Sequence, residues 1–142
     1  MLDSISSYTL LFRSGIVEAV SAVGYGGEQG PMIPAPAVEA TLLRFYPHYM
    51  EALGKLGLEP PFYLFLSLLG VRDHHLVGGQ RFFGLPHKYR REVLLLPEIV
   101  VTDAALATDQ VLRPTFDLLW NAFGYPRSFS FNANGCYVGG RY

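Results

Sequence analysis

Cysteine is almost missing from this 142-residue sequence. The single thiol, Cys136, excludes an internal disulfide framework and any zinc site built on several thiolates. It fits a reducing, cytoplasmic setting. Charge is scarce as well: 16% of residues are charged, and 11 Lys+Arg against 12 Asp+Glu leave a net charge of -1. No global field exists to draw in nucleic acid or an anionic membrane. Long apolar runs are also lacking. The longest, Pro60 to Val71, reaches about half of the ~20 residues that a membrane span requires. Met1-Leu2-Asp3-Ser4 places an acid where a signal peptide carries positive charge. A soluble cytoplasmic protein with no membrane partner is expected.

Recognised chemical constellations are missing too. Gly24-Tyr25-Gly26-Gly27 lacks the Lys-Ser/Thr ending of a phosphate-binding loop. No G-x-S-x-G elbow occurs, Ser67 sits in an apolar run, and Cys136 has no histidine beside it in sequence. His74 and His75 are adjacent, so on a strand they point to opposite faces and cannot share one metal ion. His87 is followed by Lys88, Arg90 and Arg91, which repel a cation. The acids Asp73, Glu92, Glu98, Asp103, Asp109 and Asp117 are scattered, without the clustering that holds a catalytic Mg²⁺. Glu18, set among apolar neighbours, is the one acid whose surroundings stand out. These absences predict a non-enzymatic chain with no catalytic residue, cofactor or metal.

What is present is apolar mass. Half of the residues are hydrophobic and 14% are aromatic, and the mean hydropathy is +0.22. Surface scaling predicts that a compact monomer of this size exposes about 7,300 Å², against about 23,000 Å² for the extended chain. That is ample for one buried core, and residues 1–142 read as a single domain. Such an apolar surplus points to a surface that meets another protein chain, a second copy included.

Along the chain, Tyr8–Phe12 and Ile16–Val20 flank Arg13-Ser14-Gly15 and predict a β-hairpin. Gly24 to Pro36, with four glycines and three prolines, predicts a mobile loop without regular structure. From Ala37 to Leu56 the spacing of Val38, Leu42, Phe45, Tyr49, Leu53 and Leu56 is helical. Pro47 predicts a kink or two abutting helices, and Gly57 a left-handed cap. Phe62 to Leu69 is apolar on both faces and predicts a central strand. Glu92 to Thr102 is a second apolar run, broken at Pro97. A second helix is expected from about Pro114 to Phe123, with Pro114 at its first position and Gly124 after its last turn. Asn134-Gly135 suggests a terminal hairpin. The expected order is ββ–α–β–β–α–ββ, an α+β domain with a mainly antiparallel sheet packed against two helices.

Two groups of residues are candidates for contact. Arg81, Lys88, Arg90 and Arg91, with Tyr89 and Phe82-Phe83 available for stacking, form the best local site for nucleic acid. Arg13 and Glu18 flank the first turn and are placed to pair across it, while Trp120 and Tyr125 are anchors for packing or for a partner.

Three segments together carry a resemblance. Leu11-Phe12-Arg13-Ser14-Gly15-Ile16-Val17-Glu18-Ala19-Val20 is the first. Gly57-Leu58-Glu59-Pro60-Pro61 leading to Ser67-Leu68-Leu69-Gly70-Val71 is the second. Leu112-Arg113-Pro114-Thr115-Phe116-Asp117, Trp120-Asn121-Ala122 and Gly124-Tyr125-Pro126-Arg127-Ser128 make up the third. In this order, from about Tyr8 to Val138, the chain resembles the C-terminal region of bacterial proteins whose N-terminal part is a Schlafen AlbA-type domain assigned to DNA or ATP binding. The resemblance implies that such activity belongs to that N-terminal domain, which is absent from this chain, and it carries no functional residue over. The leading expectation is an accessory or sensing domain that binds protein, itself included. Rival readings are a nucleic-acid module using residues 81–91 and a small-molecule sensor with a pocket between sheet and kinked helix.

Overall fold

The computed structural model describes residues 7–28, 30–78 and 87–139. Its elements run β1 (Ser7–Leu11), β2 (Val17–Ser21), β3 (Tyr25–Gly27), β4 (Gly30–Pro34), α1 (Ala35–Lys55), β5 (Phe62–Leu64), β6 (Ser67–Leu69), β7 (His75–Val77), β8 (Val93–Leu95), β9 (Ile99–Val101) and α2 (Thr108–Ala122). The class is α+β. The strands form four small sheets, ordered β1-β2, β3-β4-β7, β5-β9 and β6-β8, all antiparallel except the β4–β7 pair.

The opening hairpin forms as its β-rich runs predict, with Leu10 opposite Glu18 and Leu11 opposite Val17. Gly15 takes φ 85° in the turn. The Gly/Pro-rich stretch after it is not a loop. It supplies β3 and β4, and Met32, Ile33 and Pro34 pair in parallel with His75, Leu76 and Val77. Ile33 is buried and drives the pairing. Pro31 and Pro34 lie towards the ends of β4 and leave Met32-Ile33 free to bond between them.

Helix α1 is continuous through Pro47. That residue lies on the exposed side of the helix, so the bond it removes falls where water can replace it. The buried stripe is Ala35, Val38, Glu39, Tyr46 and Leu53, rotated from the expected one. Phe45 and Leu56 are exposed, and Tyr46 takes the inner position. At its end Gly57 (φ 74°) closes a two-bond cap, donating to Gly54 O at 2.9 Å while Leu58 N donates to Leu53 O at 3.1 Å. Helix α2 begins at Thr108, so Pro114 lies inside it rather than at its first position. Gly124 (φ 86°) ends it with the same pair of bonds, to Asn121 O at 2.9 Å and from Tyr125 N to Trp120 O at 3.1 Å.

Phe62 to Leu69 is not one central strand. It divides into β5, paired with β9, and β6, paired with β8. Tyr63, Phe65 and Leu69 face outward at 62, 69 and 73% exposure, so one face of this run is uncovered. The Asn134-Gly135 turn forms, but the tail closes through a single bridge, Phe131 to Tyr137, rather than two strands. Two buried clusters hold the fold together. One centres on Ile33, Val38, Leu76, Leu119, Trp120 and Phe123, the other on Tyr46, Val101, Leu112, Phe116 and Phe131. No described helix is long and apolar enough to cross a membrane.

Candidate functional site

Two features depart from what an ordinary small domain needs: an uncovered hairpin and a buried carboxyl.

On the hairpin, side chains alternate across the pleat. Tyr8, Leu10 and Phe12 share a face with Val20 and Glu18, while Ser7, Thr9 and Leu11 share the other with Ser21, Ala19 and Val17. Tyr8, Leu10, Leu11, Phe12, Ile16 and Val20 are all 43–60% exposed. Both faces are therefore largely open, and the hairpin is a separate two-stranded sheet. A lone two-stranded hairpin is marginal in water and ordinarily needs a third strand or a packing surface. Glu18 Oε1 accepts a 2.9 Å bond from the Tyr8 hydroxyl. Among the described residues the ion pairs are Glu51–Lys55 and Arg72–Glu92. The partner of Glu18 is thus Tyr8 on its own face, not Arg13. The Tyr8 hydroxyl is held above its ordinary pKa, chiefly because it donates to the Glu18 carboxylate. A second open apolar surface lies on the short sheets, where Tyr63 pairs with Val100 and Leu69 with Val93, and where Leu95 is 70% exposed.

The unusual acid is Glu39, which the helical pattern assigns to the polar side. It is fully buried. Its Oε1 accepts from Trp120 Nε1 at 2.7 Å and from the Ser128 hydroxyl at 2.7 Å. Burial raises the Glu39 pKa and the nearby Asp117 adds to the rise, while the Ser130 and Ser128 hydroxyls and the Trp120 N–H pull it down. The net shift is upward, towards the neutral acid. Glu39 Oε2 and Ser130 Oγ have no partner within hydrogen-bond geometry, so the Ser130 influence acts through proximity rather than a formed bond. Asp117 accepts from Ser128 N at 2.8 Å, which fixes the serine turn under the carboxyl. The sequence signal for this site was the lone Trp120: a buried indole N–H requires an acceptor.

Trp120 is 1% exposed and packs edge-on against Tyr125 and Phe129 at 5.2 and 5.1 Å. It is a packing anchor. Tyr125 is half-buried on the same cluster. Of the basic group, Lys88, Arg90 and Arg91 are exposed, and Lys88 bridges His75 through the backbone. Arg81 and Phe82-Phe83 lie outside the described residues. His75 is buried on β7, and His74 Nδ1 bonds to Arg72 O at 3.0 Å. Among the described residues no group of three or more His, Cys, Asp or Glu side chains could hold a metal ion. Ala35 and Val38 of α1 pack with Ile33 of β4 and Leu76 of β7 in the first buried cluster.

No family model matches the chain, and neither a curated protein nor a solved structure does.

Proposed function

We propose that this chain is a non-enzymatic accessory module whose work is to dock onto protein through the β1–β2 hairpin. We further propose that it is related to the C-terminal region of Schlafen AlbA-type proteins. The observation that carries the docking reading is the open hairpin: six large apolar side chains are exposed on and beside a two-stranded sheet that no other described strand extends. Exposed apolar surface of this kind marks an interaction site. The three segments behind the family proposal fall on the hairpin, on the α1 cap with β6, and on α2 with the Ser128 turn. They include the hairpin and, in Trp120 and Ser128, the two groups that donate to Glu39.

The test is native mass. In extracts of cells that make the protein, the wild-type chain is expected to elute above its monomer mass. Leu10→Lys, which faces Glu18 across the hairpin, together with Phe12→Thr is expected to return it to monomer size with the hairpin retained. Equal, monomeric elution of the two would refute docking. A nucleic-acid module would instead show salt-sensitive binding that Lys88→Ala, Arg90→Ala and Arg91→Ala together abolish.

A further inference from the structure

Resting on the docking reading, we infer that the partner is a second copy of this chain, joined by antiparallel pairing of β1 with β1 about a twofold axis at Thr9. Phe12 N donates to Ile16 O at 2.8 Å, and the register then runs Leu11–Val17, Leu10–Glu18, Thr9–Ala19, Tyr8–Val20. Hydrogen-bonded and non-bonded pairs alternate along an antiparallel ladder. Phe12, Leu10 and Tyr8 therefore turn their backbone groups toward β2, while Ser7, Thr9 and Leu11 turn theirs outward. No described strand meets that outer edge.

Edges are normally blunted by charge, proline or a bulge. From Ser7 to Phe12, β1 and the residue after it carry no charge and no proline, and all of these residues are exposed. The other edge differs: β2 carries Glu18, and pairing β2 with its copy about Ala19 would set that carboxylate against Val20. The unprotected edge is β1.

Pairing at Thr9 satisfies the outward groups on both copies, Thr9 against Thr9 and Ser7 against Leu11. It also places Tyr8 of one copy opposite Leu10 of the other as a non-bonded pair, about 4.5 Å between Cα atoms. An aromatic–aliphatic cross-strand pair of this type is stabilising. The product is one four-stranded sheet, β2-β1-β1-β2, which meets the three-strand requirement that a lone hairpin fails. Its Tyr8/Leu10/Phe12 face is continuous across the axis.

Each copy brings Tyr8, Leu10, Leu11 and Phe12, all at least 43% exposed, so pairing draws apolar surface from both sides. With a net charge of -1, two copies repel each other little.

The experiment is sedimentation of the purified full chain at tens of micromolar, alone in buffer. The wild type is expected at twice 15.8 kDa. Thr9→Pro removes only an outward N–H, which leaves the hairpin ladder intact, and is expected to weaken the dimer at least tenfold. In a Cys136→Ser background, Thr9→Cys is expected to be joined between copies by a short bifunctional thiol reagent, because a Thr9–Thr9 pair separates Cα atoms by about 5.5 Å. Ala19→Cys is not. A purified monomer together with a raised native mass in extracts would sink self-pairing while the docking reading stood. Cross-linking at Ala19 in place of Thr9 would overturn the β1 edge.

Discussion

Trp120→Ala is expected to lower the unfolding free energy by about 4–8 kcal/mol, among the largest effects of any single substitution in the chain. Emptying a fully packed indole site costs about 3–5 kcal/mol, and taking one of its two donors from a buried carboxyl adds about 1–3 kcal/mol. Domains of this size hold about 5–15 kcal/mol in all, so the variant should be largely unfolded at 37 °C. Trp120→Phe keeps most of the volume and loses only the N–H donated to Glu39. Its expected cost is about 1–3 kcal/mol, read from urea midpoints at constant slope. If the two variants cost the same small amount, Trp120 would not be the pillar of the first cluster.

Glu39 gives the second large effect and a characteristic pH signature. Glu39→Ala strands the Trp120 N–H and the Ser128 hydroxyl together, which should cost about 2–4 kcal/mol. Glu39→Gln keeps the acceptor and should cost far less. The sign of the pH dependence follows from proton counting. The folded chain holds the Glu39 proton above the ordinary value of 4.5, where the unfolded chain has released it. The folded state therefore binds more protons in that interval, and stability falls as pH rises from about 4.5 to the raised folded value, then levels. The acid contributes most below 4.5. Subtracting the Glu39→Gln stability curve from the wild-type curve between about pH 4 and 8 should leave a line that descends with pH. An ascending line would mean that the carboxyl is held as an anion in the fold.

The hairpin and both helix caps were legible because their causes are local. Gly15, Gly57 and Gly124 each sit at a positive φ that a turn or cap demands, and a single sequence records such demands directly. The α+β class followed from the same local periods. What stayed hidden depends on partners distant in the chain. Gly30–Pro34 is a strand because Ile33 is buried in the core and β7 pairs alongside Met32, Ile33 and Pro34, whereas its own glycine and prolines argue for a loop. The division of Phe62–Leu69 reflects two different partners, β9 and β8.

Glu39 was hidden for a related reason. On α1 it looks like a solvent-facing acid, and only an indole eighty-one residues away explains its burial. The same displacement rotates the buried stripe onto Tyr46 and leaves Phe45 outside, stacked on Tyr49 at 6.4 Å. Glu18 attracted attention for its apolar neighbours, yet on an open hairpin those neighbours are exposed too, and a tyrosine hydroxyl suffices to hold it. The apolar surplus in the composition was a sound guide to an uncovered surface, though composition alone could not locate it.

The most direct measurement is photo-cross-linking from the hairpin. A photoreactive side chain replaces Leu10 in the full chain at its cellular concentration, with the same group at exposed Lys55 as reference. Discrete protein adducts are expected from position 10, in high yield, and little but solvent-quenched monomer from position 55. Quenched monomer from both positions would mean that water, rather than protein, covers the hairpin and that no partner docks there.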